Sequence, residues 1–209
     1  MINKERVMDD FSKTAPILIG FQNNYFLPKG ILYDEVEESS RITGVGENTL
    51  YLLTFRAEQF ALVINTPIHF TQNYSELKNP IGILKVIAVG AFKAGSYGAQ
   101  TIKQLDLFSN IIEVVFGERS LNAFTHIGLA ENIKKHGATN IILAGTVSSI
   151  CIDSTVRTAV ARGSNATILS DCTPRRTPFE QTFYCEEVFP LYARVCDSKT
   201  FIKYWREHG

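Results

Sequence analysis

Several things are scarce in this 209-residue chain, and each scarcity excludes something. There is no excess of charge of either sign: Lys plus Arg number 21 and Asp plus Glu number 21. Without a basic field, nucleic acid and anionic membrane surfaces are not expected partners. Long apolar runs are missing as well, and none approaches the roughly 20 residues that span a bilayer. The first twenty residues carry charges at Lys4, Glu5, Arg6, Asp9 and Asp10, a pattern unlike a secretory signal. Cysteine is sparse: Cys151, Cys172, Cys185 and Cys196 form no CxxC pair and no disulfide framework. A reducing, cytoplasmic setting is therefore expected. No repeat or Pro/Gly/Ser-rich linker divides the chain, so residues 1–209 read as one domain. Gly44-x-Gly46 lacks the rest of a dinucleotide fingerprint. No cofactor is expected.

What is present is alternation. Short β-branched runs at Pro16–Phe21, Ala61–Thr66, Leu84–Val89, Ile111–Phe116, Asn140–Ala144 and Ala166–Ser170 predict strands buried on both faces. Between them lie helical patterns at Gly128–His136 and Ser149–Arg162, which stop at Gly137 and Gly163. Ser39–Gln59 is a broken helical pattern, and Phe179–Val195 a helix interrupted at Pro190. The expected fold is α/β: a three-layer α-β-α, Rossmann-like domain around a mostly parallel sheet of about six strands. Ligands in such folds sit beyond the carboxyl ends of the strands.

The segment Asn140–Asp171 holds the clearest chemistry. Gly145-Thr146-Val147-Ser148-Ser149-Ile150-Cys151 leads from a strand into a helix, so Cys151 falls in the helix's first turn. Unpaired N–H groups and the helix dipole there favour a thiolate. The same groups can receive a developing oxyanion. Taken alone, a Cys at such a position is more often a small buried filler.

Gly145-x-x-Ser148-x-x-Cys151, then Ser154-Thr155-x-Arg157-x-Ala159, Gly163 and Ser170-Asp171-x-Thr173, resembles the isochorismatase-like cysteine hydrolase superfamily. Ile17-Leu18-Ile19 with Gln22-Asn23-x-x-Phe26, and Ala123-Phe124 with Leu129, resemble its other segments in order. That superfamily includes nicotinamidases, N-carbamoylsarcosine amidases and isochorismatases. The resemblance implies an Asp ending the first strand, a Lys after a middle strand, the nucleophilic Cys and a covalent acyl-enzyme. It also implies a cis peptide near Thr146-Val147 and a homo-oligomer.

The chain departs from that pattern twice. Gly20 stands where the resemblance places the Asp, and Glu118 where it places the Lys. Glycine offers no base, and a carboxylate beside Cys151 opposes thiolate formation. Arg119 could supply a cation only if the strand's alternation fails there. The expected catalytic residues are Cys151 and, as a replacement base, Glu118. Gly20, Asn23, Phe26, His69, Thr146, Val147 and Ser148 are the expected lining for a small-molecule ligand.

His69 and His126 could pair with the thiol, but loop histidines more often play no such part. His69 alone cannot build a metal site, and Asp34 and Glu35 bring no histidine, so no metal is expected. Arg175 and Arg176 read as a solvated basic turn. Three functional readings follow: a degenerate hydrolase scaffold that binds a metabolite or partner, a Cys151 hydrolase with a different base, or a redox-responsive protein with an exposed thiol.

Overall fold

A computed structural model describes residues 10–116, 120–125 and 127–208. Six strands form one sheet: β1 (Thr14–Ile19), β2 (Val63–Thr66), β3 (Ile112–Val114), β4 (Asn140–Gly145), β5 (Asn165–Leu169) and β6 (Arg194–Cys196). Their order is β3-β2-β1-β4-β5-β6, and every pairing is parallel. The α/β class read from the run spacing is what forms.

Side-chain alternation along the central strands splits the core in two. Ile17, Ile19, Ile141, Leu143 and Ile168 point to one face; Leu18, Ile142, Ala144 and Leu169 point to the other. The eight α-helices of the described chain are short. They are α1 (Asn23–Phe26), α2 (Glu37–Thr43), α3 (Val45–Arg56), α4 (Ile83–Ile87), α5 (Ile127–Lys135), α6 (Asp153–Ala161), α7 (Pro178–Phe183) and α8 (Ser198–His208). The first face is covered by α5 and α6 through Leu129, Ile133, Val156 and Ala159. The second is covered by α3 and α8 through Leu52, Leu53, Phe201 and Ile202. Among the described residues, no helix is long and apolar enough to cross a membrane.

Two sequence expectations need correcting. Leu84–Val89 is not a strand: β2 and β3 pair directly (Val63↔Ile112), which leaves no slot between them. The segment instead forms α4 and buries Ile87. The pattern Phe179–Val195 is not one bent helix either. It runs as α7, a π-helical stretch Tyr184–Val188, a 3-10 turn Phe189–Leu191, and then edge strand β6. A three-residue, half-buried edge strand is too short to show a period of two. The break inside Ser39–Gln59 falls at Gly44, whose φ of 67° ends α2 in the left-handed region.

Strand order reverses between β1 and β4, the sheet's topological switch point. Their last residues, Ile19 and Gly145, are in register. Gly20 and Thr146 therefore emerge side by side at the carboxyl edge.

Candidate active site

The turn after β4 is built by tight backbone contacts. Gly145 has φ 123°, and a Cβ there would overlap the Ile19 carbonyl oxygen, so only glycine lets the two strand ends meet. The Thr146 N–H donates to Ile19 O at 3.0 Å. The Thr146-Val147 peptide is cis, at the place the resemblance implied. Ser148–Ile152 then forms a single π-helical turn that continues into α6.

Cys151 sits in that turn and is fully buried, which corrects the expectation of an exposed thiol. None of the four cysteines is in a disulfide. Ser148 clamps the turn from below. Its hydroxyl donates to Thr173 O (2.8 Å) and Pro174 O (3.0 Å), and its N–H donates to Pro174 O (3.2 Å). A second clamp joins the segment after β3 to α6. Asn122 Nδ2 donates to Ser154 O (3.1 Å) and Thr158 Oγ1 (2.8 Å), and the Ala123 N–H donates to Thr155 Oγ1 (3.0 Å). Ser154 Oγ donates to Cys151 O at 3.3 Å and also to Leu121 O.

Opposite the turn, Gly20 has φ 67°, in the left-handed region. An added Cβ would lie 2.6 Å from Thr146 Oγ1 and 3.3 Å from Tyr25 Cε2. Thr146 Oγ1 donates to Gly20 O at 3.3 Å. The space that a side chain at residue 20 would need is thus taken by a buried hydroxyl.

The other expected lining residues are placed as follows. Asn23 is buried, and its Nδ2 donates to Tyr97 O at 2.9 Å, so that amide anchors a loop. Phe26 is half-buried and stacks on Phe21 with centroids 5.3 Å apart. His69 is half-buried and meets the Phe116 ring edge-on at 5.9 Å. Val147 and Ser148 are buried within the turn itself. Glu118, Arg119 and His126 lie outside the described residues. Among the described residues, no three His, Cys, Asp or Glu side chains are grouped so as to hold a metal ion.

Residues that the sequence marked only as motif positions, with no site role assigned, also hold these loops. Gln22 exchanges two hydrogen bonds with the Ile68 backbone (2.8 Å each) and donates a third to Ala99 O (2.7 Å). One buried amide so ties the loops after β1 and β2 together. Asp171 accepts from the Ser198 N–H (2.8 Å) and hydroxyl (2.6 Å), and Thr173 Oγ1 donates to Leu169 O (3.0 Å). These two motif residues are structural.

Arg175 overturns the solvated-turn expectation, because it is fully buried. Its neighbour Arg176 is exposed and pairs with Glu180 at 3.6 Å.

Comparison with known proteins agrees with this architecture. The family model described as the isochorismatase domain matches residues 14–200. A cysteine hydrolase from Pseudomonas syringae pv. phaseolicola superposes with a TM-score of 0.78 at 17% identity, covering 96% of this chain and 95% of that one. The N-carbamoylsarcosine amidase of Thermoplasma acidophilum gives 0.67 at 17%, over 89% and 96%. A protein from L. infantum, solved in complex with nicotinate, gives 0.72 at 19%, over 93% and 97%. At these identities the likeness concerns the fold. No curated protein matches the chain in sequence.

Proposed function

The chain belongs to the isochorismatase family, and on that premise we propose that it binds a small metabolite on a hydrolase scaffold whose Asp-Lys-Cys chemistry is lost. The observation carrying this reading is the environment of Gly20. The residue there has no side chain, its backbone is left-handed, and Thr146 Oγ1 lies 2.6 Å from where a Cβ would be. No carboxylate can enter from the end of β1 to take the thiol's proton. The neighbouring amides do not replace it. Gln22 and Asn23 are spent on backbone carbonyls, and an amide is no base.

Gly20, Thr146, Val147 and Ser148 form the floor of the binding site in this reading, with Cys151 below them as a buried filler. Asn23 positions the loop that walls it, and Phe26 and His69 are the side chains this reading assigns to its rim. The assembly is a homo-oligomer of single-domain chains in the cytoplasm. The test is a hydrolysis screen with nicotinamide, N-carbamoyl compounds and isochorismate, with Cys151→Ala as control. We expect no turnover that depends on Cys151; release of product by the wild type alone would overturn the reading.

One observation favours a second reading, in which Cys151 is a nucleophile served by Glu118 or His69. The turn around Cys151 is fully assembled, held by Ser148 on one side and by Asn122 and Ser154 on the other. Iodoacetamide labelling of Cys151 across pH distinguishes the two. A thiol titrating at or above about 8.5 removes the activated nucleophile.

A further inference from the structure

Arg175 carries a charge that the fold answers only in part. The residue is wholly buried, yet the described residues place no carboxylate within ion-pair distance of its guanidinium. Nη1 donates to the carbonyl oxygens of Glu180 (3.4 Å) and Gln181, and lies 3.6 Å from Cys185 Sγ. Those two carbonyls already accept the Tyr184 N–H at the end of α7, so α7 does not need the arginine. Nε and Nη2, the side-on edge of the fork, have no hydrogen-bond partner among the described residues. Two more buried polar atoms near it have no hydrogen-bond partner among the described residues: Ser40 Oγ and Gln181 Oε1. Ser40 adjoins Ser39, whose hydroxyl accepts the Arg175 N–H at 2.8 Å.

The surroundings are otherwise apolar. The guanidinium lies 4.9 Å from the Phe189 ring centroid and 5.2 Å from that of Tyr184. Burial lowers its pKa from the usual value, with Cys185 and the Glu180 carboxylate acting in the opposite direction. An isolated buried cation costs stability unless something pairs with it. Arginine is almost never fully buried unless it is paired.

We propose that Arg175 is the receptor for the carboxylate of a small organic acid, bound side-on by Nε and Nη2. Two parallel N–H groups match the two oxygens of a carboxylate. A single positive charge suits a monoanion better than phosphate, because the next cation, Arg176, is already paired with Glu180. The site adjoins the cysteine turn through the chain. Pro174, the residue before Arg175, accepts both the N–H and the hydroxyl of Ser148. It does not depend on Cys151 reacting, so its test is separate from the hydrolysis screen.

The edge is buried, so an anion reaches it when the segment over it parts. That segment changes helix type twice between Pro178 and Leu191 and leaves Phe179 and Leu191 exposed. Irregular helix of this kind opens at less cost than a continuous helix.

Thermal unfolding in an anion-poor buffer tests the assignment, with benzoate and acetate, their neutral amides, and inorganic phosphate as probes. The carboxylates raise the wild-type melting temperature with concentration, and the amides and phosphate do not. Arg175→Met melts at or above the wild type without ligand and loses the response. Arg175→Lys keeps the charge but not the fork, and binds benzoate at least about tenfold more weakly. No response to either carboxylate, an equal response to benzamide or phosphate, a response retained in Arg175→Met, or undiminished benzoate binding by Arg175→Lys overturns the proposal. So does a Met variant that melts well below the wild type, since the cation would then be structurally satisfied.

Discussion

Two glycines at one sheet edge decide what this site can hold. Gly145 is required by contact: any side chain there drives a carbon into the Ile19 carbonyl, and φ is 123° besides. Gly145→Ala should cost more than about 4 kcal/mol, within the range reserved for severe overpacking and backbone strain. Urea unfolding checks this, and an unchanged midpoint would contradict the contact. Gly20 is milder, since Asp tolerates the left-handed region and Thr146 Oγ1 can swing aside. Gly20→Asp should cost about 1–3 kcal/mol and restore no hydrolysis by itself. The sequence identified Gly20 as a departure, because the resemblance placed an acid there. It could not show the hydroxyl that fills the space, since Thr146 and Gly20 are 126 residues apart.

At the scale of elements, the cysteine turn depends on the loop after β5. Ser148 is fully buried, with its hydroxyl shared between two carbonyls of that loop. Ser148→Ala should lose about 1–3 kcal/mol, the cost of leaving the Thr173 carbonyl without this donor while Pro174 O keeps the backbone N–H. It should also raise amide exchange through residues 173–176, which hydrogen-exchange mass spectrometry reads directly. Unchanged exchange there would mean that the backbone bond alone holds the loop.

The strand–turn–helix at Gly145–Ala161 was legible because strand period, glycine and apolar helix face all agree locally. The segments that misled are those where tertiary context decides. Leu84–Val89 has the β-branched residues of a strand but no open sheet position. Arg175 looks like a loop cation and is buried because Ser39, from far back in the chain, and the irregular helix carrying Tyr184 and Phe189 close over it.

For the whole molecule, the sheet's far edge makes stability depend on alkaline pH. Cys196, in β6, is pushed up to about 12 from 9.0, by burial first and then by Asp197 and Asp171. Cys172 is raised well above 9.0, again by burial first and then by Asp171. A thiol with a raised folded-state pKa holds its proton in the native state after the unfolded chain has lost it. Its contribution is therefore complete below about 9 and is lost as pH climbs toward 12. Denaturation midpoints should fall across that window, and Cys196→Ala should flatten the decline. A wild-type profile level from 9 to 12 would contradict the burial of these thiols.

The central claim is that a family scaffold keeps its cysteine turn but has no base at the end of β1 to set the thiol to work. Intact-protein mass spectrometry after rapid quenching tests it most directly, with nicotinamide or N-carbamoylsarcosine in excess. The account predicts an unmodified wild-type mass at every time point. An acyl adduct on the wild type that is absent from Cys151→Ala would contradict it.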